Sequence, residues 1–214
     1  MSPIRFALPS KGRIQEEMNK FFSSAGIKIT KSGGQRTYVG GFKNYTDIEI
    51  TFLSANEIAK ELHKGTVHLG LTGLDLINEL DGKKTKKVVS LLELGFSKAN
   101  VVAAVPNSWI DVSNMKDLAE VSKDFIKIHD RRLRVATKFE NLTRNFFLKN
   151  NINSYRIVES TGATEGAPSA GTAEMITDIT ESGVTLDENN LKVLDDGIIL
   201  KSEACIFGSF GINW

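Results

Sequence analysis

Short apolar runs alternate with amphipathic segments along most of the chain, and this alternation constrains the fold more than any other feature of the sequence. Residues 4–8 and 48–53 have the short apolar character of buried strands, whereas residues 12–25 carry apolar side chains at helical spacing. The same alternation of strand and helix continues to residue 80 and resumes after residue 112. Strands that alternate with helices along a chain commonly pair in parallel, so the pattern predicts an α/β protein.

Two lobes are predicted from an interruption of this pattern. A polar segment at residues 81–87 breaks the alternation, and we expect the extended runs after it to carry the chain into a second lobe. The tail, residues 191–206, reads as extended and is expected to return to the first lobe. We therefore place lobe I at residues 1–95 together with 186–214, and lobe II at residues 96–185. Two α/β lobes joined by crossovers form a cleft, and such clefts commonly hold ligands.

The composition excludes several classes of protein. With 27 Lys and Arg against 26 Asp and Glu, the formal net charge is +1, which argues against a protein built to coat nucleic acid. Cys205 is the only cysteine, so no disulfide forms within the chain, as suits a reducing compartment. The sequence shows neither an apolar run of membrane-spanning length nor a secretory signal at its start, so we expect a cytoplasmic protein without a membrane partner.

The segment at residues 175–186 combines groups that suit a sugar phosphate. Gly183 allows the backbone to come close to a ligand, and nearby hydroxyls can assist successive amides in binding an anion. A carboxylate beside a phosphate repels it unless the carboxylate faces ribose hydroxyls or a bound Mg²⁺, and Asp178 stands in that position. The same residues are also compatible with an ordinary polar turn that caps a short helix.

Four segments, in chain order, carry motifs that match a known family. They read ALPSKGR (7–13), GLTGLD (70–75), VATKFENLTR (135–144), and TGATEGAP, GTAE and DITESGVTL within 161–186. Together they resemble the signature of the ATP phosphoribosyltransferases, and the motifs are nearest to the alphaproteobacterial type. The chain resembles the short form of this family, a catalytic subunit that lacks a C-terminal regulatory domain.

The resemblance implies a reaction, a fold and a set of partners. The reaction is transfer of the 5-phosphoribosyl group from phosphoribosyl diphosphate to N1 of ATP, the first step of histidine biosynthesis, with Mg²⁺ as cofactor. The implied fold is α/β, two-lobed and periplasmic-binding-protein-like (type II), with a cleft between the lobes. Short forms are expected to be homodimers inside a hetero-oligomer with a regulatory subunit that resembles histidyl-tRNA synthetase, and nucleic acid is not an expected partner.

By the same resemblance, each motif gives roles to particular residues. The residues expected to act in catalysis are Lys11, Arg13 and Glu165 from the motifs, together with Arg36, which lies outside them and is a candidate cation because of its setting between Gly33-Gly34 and Tyr38. The residues expected to bind phosphoribosyl diphosphate are Asp178, Thr180, Glu181, Ser182, Gly183, Val184 and Thr185. The residues expected to bind ATP are Asp75, Lys138 and Glu174. Asp178 is also the candidate protein ligand of Mg²⁺, and Asp75 has a competing interpretation as a helix cap.

Three positions depart from the family's pattern and leave alternative functions open. Glu174 stands where the family has Asp, and Ser182 stands where it has Thr. Ser54 stands where many members carry Arg, so that Lys11 or Arg36 must help to hold the pyrophosphate. A catalytically weak paralogue is therefore one alternative. The other is a cytoplasmic sensor module that binds a ligand between two lobes, because a fold alone does not determine function.

Overall fold

The structure is a computed structural model of the chain. The residues that it describes are 3–31, 38–82 and 87–214. Arg36, one of the predicted catalytic residues, lies outside them. The chain divides into two compact units, which are Met1–Lys98 with Glu203–Trp214 and, separately, Ala99–Ser202. Within the described ranges, no helix is both long enough and apolar enough to cross a membrane.

The first unit is built on one sheet, with strands numbered here along the whole chain. In the described residues these strands are β1 (Ile4–Pro9), β2 (Ile29–Lys31), β3 (Val39–Phe42), β4 (Tyr45–Leu53), β5 (Leu69–Gly73), β6 (Val88–Glu93) and β12 (Ala204–Ser209). They lie in the order β2-β3-β4-β1-β5-β12-β6. Strand β1 is parallel to β4 and β5, and the other neighbouring pairs are antiparallel. The helices are α1 (Arg13–Ser24), α2 (Ala55–Lys64) and α3 (Leu74–Asp81).

Helices pack on both faces of this sheet because side chains alternate along its strands. Phe6 and Leu8 of β1 belong to one buried cluster, in which they meet Met18 of α1. Ala7, between them, belongs to a second buried cluster with Ile58 of α2. Strand β1 is therefore covered on both faces at residues 6–8, and for that reason these residues form a continuous apolar run rather than an alternating one.

The second unit, Ala99–Ser202, is described throughout and contains a mixed five-stranded sheet. Its strands are β7 (Ala99–Pro106), β8 (Leu133–Thr137), β9 (Tyr155–Glu159), β10 (Met175–Thr180) and β11 (Leu191–Ser202). In the order β11-β7-β10-β8-β9, strand β8 is parallel to β9 and β10, whereas β7 is antiparallel to β10 and β11. Its helices are α4 (Met115–His129), α5 (Glu140–Lys149), α6 (Val184–Glu188) and a 3-10 helix (Thr164–Gly166).

The chain returns to the first unit later than the sequence predicts. The sequence places residues 186–214 in lobe I, but β11 pairs along β7 inside the second unit. Only Glu203–Trp214 belongs to the first unit, where β12 lies between β5 and β6. An apolar run predicts that a strand exists, but its partner is set by residues far away in the chain. The observed boundary therefore lies between Ser202 and Glu203.

Candidate functional site

The carboxyl ends of the parallel strands β8, β9 and β10 form the edge of the second sheet where several predicted site residues collect. Lys138 follows the last residue of β8, and Asp178 lies near the end of β10. Thr137 of β8 lies opposite Thr177 of β10, so the residues that follow them are neighbours. The Nζ atom of Lys138 is 3.1 Å from Oδ1 of Asp178. Parallel α/β sheets commonly bind ligands at this edge.

The ion pair between Lys138 and Asp178 joins a buried carboxylate to a partly exposed cation. The side chain of Asp178 is 12% exposed, and its Oδ1 also accepts a hydrogen bond of 2.8 Å from the N–H of Ile179. The Lys138 side chain is 45% exposed, and its Nζ lies 5.2 Å from the centre of the Phe139 ring. An ammonium group has three hydrogens to donate, so Lys138 can keep this ion pair and still meet an anion from solvent.

The loop between β10 and α6 is shaped by Thr180 and Gly183. The Thr180 hydroxyl accepts a hydrogen bond of 3.0 Å from the Gly183 N–H. Gly183 has φ 82° and ψ −12°, a left-handed conformation that favours glycine. A side chain at Gly183 would meet no atom within 4 Å, so the loop opens onto free space there. The exposed residues of the loop are Glu181, Ser182, Val184 and Thr185.

The loop after β9 brings Glu165 to the same edge of the second sheet. The N–H of Ser160 donates to the carbonyl of Thr137 at 3.0 Å, which ties this loop to the end of β8. The hydroxyl of the buried Thr164 donates to the Ser160 hydroxyl at 3.0 Å. Glu165 is the next residue and is half-buried in the 3-10 helix. Hydrogen bonds therefore anchor the loop that carries the Glu165 carboxylate beside Lys138.

Glu174 lies at the opposite edge of this sheet. It precedes β10, and its N–H donates to the carbonyl of Arg134 near the start of β8 at 3.0 Å. Asp178 is four residue steps further along the chain, which amounts to roughly 13 Å at the usual rise of about 3.3 Å per residue. This position does not fit the predicted contact of Glu174 and Lys138 with the same nucleotide, because the two residues lie at opposite ends of β8.

Two arginines hold the Glu174 carboxylate. The guanidinium of Arg131 donates to it at 3.1 Å, and that of Arg134 donates at 2.6 Å, with a further bond of 2.8 Å from the Arg134 N–H. Burial by itself would raise the pKa of the Glu174 carboxyl. Hydrogen bonds from Arg134 and Arg131 outweigh this effect and lower the pKa from 4.5 to about 2. The cluster fastens β10 to β8 and to the loop after α4.

Replacing Glu174 with glutamine should destabilise the protein, and this effect should fade in acid. The lowered pKa means that Glu174 contributes stability above pH 4.5, and that this contribution is lost as the pH falls towards about 2. Near neutral pH we expect a loss on the order of 2 kcal/mol in the free energy of unfolding, after allowance for solvent screening of the exposed arginine. Urea unfolding between about pH 7 and about pH 3 measures it. The exposed Glu120→Gln is the control, and a loss independent of pH would contradict the assignment.

In the first unit, the predicted site residues follow β1 and β5, which are parallel neighbours. Lys11 is exposed in the turn after β1, and Arg13 begins α1, with its Nε atom 3.9 Å from Oε2 of Glu17. Asp75 lies in the first turn of α3, directly after β5, and is 7% exposed. The N-cap of α3 is Gly73, so Asp75 is not the capping residue. All three predicted residues therefore stand at the carboxyl edge of the first sheet.

Ser54 has a structural role at the position where many family members carry arginine. Its hydroxyl accepts a hydrogen bond of 3.3 Å from the N–H of Glu57. The Glu57 carboxylate in turn accepts one of 2.8 Å from the N–H of Ser54, which completes a capping box at the start of α2. The hydrogen bonds from Ser54 lower the pKa of the Glu57 carboxyl. This departure from the family pattern thus stabilises a helix.

Removal of the Ser54 hydroxyl should therefore weaken α2. We expect Ser54→Ala to lower the free energy of unfolding by about 1 kcal/mol, measured by urea denaturation. Ser24→Ala is a suitable control, because the Ser24 hydroxyl donates to a carbonyl at the exposed end of α1 rather than capping a helix start. Equal losses in the two variants would show that the capping box has no special value.

Some groups at the two edges of the second sheet were not identified from the sequence. Arg131 and Arg134, which hold Glu174, could not be assigned a role from the sequence, because a short run of arginines gives no signal of its partners. Thr143 and Thr177 are fully buried, and Thr177 directly precedes Asp178 in β10. The one available signal for Thr177 is that it interrupts an apolar strand with a hydroxyl, and this signal is shared by many threonines that have only a packing role.

Solved structures with a similar arrangement define the class of fold. The ATP phosphoribosyl transferase (HisG:HisZ) complex from Thermotoga maritima matches with a TM-score of 0.70 at 23% identity, over 96% of this chain and 87% of that chain. The periplasmic aliphatic sulphonate binding protein of Escherichia coli matches with a TM-score of 0.54 at 14% identity, over 98% of this chain and 62% of that one. The predicted α/β, periplasmic-binding-protein-like fold is thereby confirmed.

The family follows from sequence comparison. The chain belongs to the HisG family, ATP phosphoribosyltransferase, whose model matches residues 54–210. A relative from Rhodopseudomonas palustris (strain BisB18), named ATP phosphoribosyltransferase, is 55% identical over 213 residues, covering 100% of this chain and 66% of the relative. Another of that name, from Bradyrhizobium sp. (strain ORS 278), is 53% identical over 99% of this chain and 65% of the relative. The chain thus spans slightly less than two thirds of the length of these relatives, and the predicted family is confirmed.

Proposed function

We propose that this chain transfers the 5-phosphoribosyl group of phosphoribosyl diphosphate to N1 of ATP, releasing pyrophosphate, as the first step of histidine biosynthesis. Membership of the HisG family supports this reaction. The structural observation that carries the proposal is the Lys138–Asp178 pair beside the open loop at Gly183, at the carboxyl edge of the second sheet. Cation, carboxylate and open backbone are the three groups that a ribose carrying phosphates requires.

In this proposal the loop after β10 binds the 5-phosphate and the ribose. The left-handed Gly183 and the hydroxyl groups around it receive the phosphate, since the loop is exposed and no atom stands within 4 Å of a side chain placed at Gly183. The proposed phosphate ligands in this loop are Thr180, Glu181, Ser182, Gly183, Val184 and Thr185, mainly through backbone N–H and hydroxyl groups. The carboxylate of Asp178 faces the ribose hydroxyls and accepts hydrogen bonds from them. In this position it does not repel the phosphate.

Several cations are proposed to assist the leaving group and the nucleotide. Lys138 reaches past Asp178 towards ATP and pyrophosphate, and Glu165 approaches the substrates from the loop anchored beside it. Lys11 and Arg13, at the carboxyl edge of the first sheet, and Arg36, outside the described residues, contribute further positive charge in the proposal. Asp75 contacts the nucleotide. The position of Glu174 favours a structural role instead, in which it fixes the start of β8 and β10 through its two arginines.

The chemistry needs no covalent intermediate with the protein. The bond from ribose C1 to the pyrophosphate oxygen breaks as the bond from C1 to adenine N1 forms. Positive charge then develops on the ribose ring and negative charge on the departing pyrophosphate. Asp178 stabilises the ring charge and Lys138 stabilises the leaving group, so that each member of the ion pair meets the charge opposite to its own. Fixed charges of this kind stabilise the transition state without having to reorganise.

Mg²⁺ is the proposed cofactor, held chiefly by the substrate. The described ranges contain no group of three or more His, Cys, Asp or Glu side chains able to hold a metal. Mg²⁺ usually takes one or two carboxylates and completes its coordination with phosphates and water, so the single carboxylate of Asp178 fits that pattern. When bound, the ion supplies positive charge to the pyrophosphate.

A hetero-oligomer is the proposed assembly. The Thermotoga maritima protein of similar fold is a HisG:HisZ complex, and we propose that this chain likewise forms a homodimer that associates with a regulatory subunit resembling histidyl-tRNA synthetase. A biosynthetic enzyme of this kind works on cytoplasmic metabolites, so the proposed location is the cytoplasm.

Product formation tests the proposal directly. The purified chain is incubated with ATP, phosphoribosyl diphosphate and Mg²⁺, with and without the regulatory subunit, and phosphoribosyl-ATP is detected by mass spectrometry. We expect the product in at least one of the two conditions. Absence of product in both, together with measurable binding of phosphoribosyl diphosphate, would support the second candidate, a ligand-binding sensor, which the likeness to a periplasmic binding protein favours.

A further inference from the structure

Three buried threonines form a hydrogen-bonded chain beneath the proposed site. Thr137 ends β8, Thr143 lies in α5 and Thr177 lies in β10, and each is fully buried. The hydroxyl oxygens of Thr143 and Thr177 are 2.5 Å apart. The Thr143 hydroxyl is also 2.6 Å from the carbonyl oxygen of Phe139, and the Phe139 N–H donates to the Thr137 hydroxyl at 2.9 Å. The hydroxyls of Thr143 and Thr177 therefore join α5 to β10, and the backbone of Phe139 links them to Thr137 at the end of β8.

The direction of the hydroxyl hydrogens follows from the partners. A carbonyl oxygen only accepts, so the single hydroxyl hydrogen of Thr143 points to Phe139. Thr177 must then donate its own hydrogen to the Thr143 oxygen. The chain thus runs from Thr177 through Thr143 to Phe139, and each hydrogen bond in such a chain polarises the next. One arrangement of donors and acceptors satisfies all these groups, which favours a single geometry.

This hydrogen-bonded chain of threonines holds the backbone next to Lys138 and next to Asp178. Lys138 lies between Thr137 and Phe139, and both backbone groups of Phe139 are bonded, its N–H to Thr137 and its carbonyl to Thr143. Asp178 directly follows Thr177. Thr137 and Thr177 are also opposite each other in the parallel pair of β8 and β10. Both halves of the ion pair are thus one residue away from the same buried chain.

We propose that Thr143 and Thr177 are positioning residues for the phosphoribosyl transfer, because their hydroxyl chain sets the distance between Lys138 and Asp178. This inference rests on the proposed function and deepens it. The lysine side chain is long and partly exposed, so its own packing does not confine the ammonium group. The fixed positions of the neighbouring backbone and of the carboxylate confine it instead. Small displacements of such groups reduce rates strongly, because transition-state stabilisation depends on prearranged charges.

A pair of double variants separates positioning from stability. Thr143→Val with Thr177→Val keeps the shape of both side chains but removes both hydroxyls, and loss of both partners together leaves no unsatisfied group between them. The Phe139 carbonyl keeps its bond of 3.0 Å from the N–H of Thr143. Thr143→Ser with Thr177→Ser does the opposite, since it keeps both hydroxyls and creates small cavities.

The two double variants should behave in opposite ways. We expect the valine pair to unfold near the wild-type urea midpoint but to show about a tenfold lower kcat/KM for phosphoribosyl diphosphate. We expect the serine pair to unfold at a lower urea concentration but to keep its kcat/KM within about twofold. Ser122→Ala, which removes a buried hydroxyl in α4 that donates to the Ala119 carbonyl, is the control and should leave kcat/KM unchanged.

Each outcome bears on the proposal. Measurements are made in whichever condition, with or without the regulatory subunit, gives turnover by the wild-type chain. Full activity of the valine pair, or activity that follows the urea midpoint across all variants, would overturn the positioning role and leave the proposed reaction untouched. Failure of the wild-type chain to form phosphoribosyl-ATP in either condition would overturn the proposed function and the positioning role with it.

Discussion

Gly183→Val should weaken the binding of phosphoribosyl diphosphate by about a hundredfold while the protein remains folded. Gly183 has a φ of 82°, which a β-branched residue adopts only at a cost, so valine either strains the loop or changes its path. A changed path would break the hydrogen bond from the Gly183 N–H to the Thr180 hydroxyl. If the path is kept, the new side chain projects into the open space where we place the phosphate. Calorimetric titration with phosphoribosyl diphosphate measures the loss.

The backbone strain has a matched control at Gly26. This residue follows α1 in the first unit, has a φ of 71°, and also has no atom within 4 Å of a side chain built there. Gly26→Val therefore carries a similar backbone cost with similar freedom for the side chain. We expect it to bind phosphoribosyl diphosphate as the wild type does. Equal affinities in the two variants would mean that Gly183 matters only for stability and that the phosphate binds elsewhere.

Lys138→Met should lower kcat/KM by between about a hundredfold and about a thousandfold. Methionine retains much of the apolar stem of lysine but removes the charged Nζ that lies over Phe139 and beside Asp178, so the main loss is electrostatic. In the proposed reaction, the departing pyrophosphate then loses a cation, and Asp178 is left without its lysine partner near a polyanion. Both consequences oppose the transfer, which is why we expect a larger effect than for a surface charge. Steady-state kinetics with each substrate varied in turn measures it.

A second substitution distinguishes the two consequences. If Lys138 matters only because it neutralises Asp178, then adding Asp178→Asn to Lys138→Met should restore much of the activity. If both residues contact the transition state, the double variant should be no better than the single one, and this is the result we expect. Lys127→Met is the control, because Lys127 is an exposed lysine of α4 whose Nζ lies 2.8 Å from Asp124. Its removal should leave the kinetics unchanged.

The open turn after β10, where we propose that the phosphate binds, could be predicted because its signals are local. Glycine and hydroxyl residues that directly follow a short apolar strand indicate an open turn, and the structure has that turn after β10, with α6 beginning at Val184. The α/β class was predictable for the same reason, since strand and helix periods are read within a few residues. The resemblance to the family then depended on several motifs that are in the expected order.

The role of Glu174 could have been questioned from the sequence, because a usable signal was present. Residues 175–179 read as a strand, and ligands of parallel sheets bind beyond carboxyl ends, so a residue before that strand belongs to the other edge. Its partners could not be predicted in the same way. Arg131 and Arg134 reach Glu174 across about forty positions of sequence, and no local pattern identifies a contact of that range. The pairing of β11 with β7 is long-range in the same sense.

Glu174 and Asp178 lie at opposite ends of β10, and the two ends of this strand have different tasks. The arginine cluster at the amino edge of the sheet stabilises the fold, whereas the carboxyl edge carries the groups proposed for chemistry. Substitutions far apart usually act additively, so a change at one edge should leave the other largely unaffected. Stabilising substitutions can therefore be sought around Arg131 with little cost in turnover.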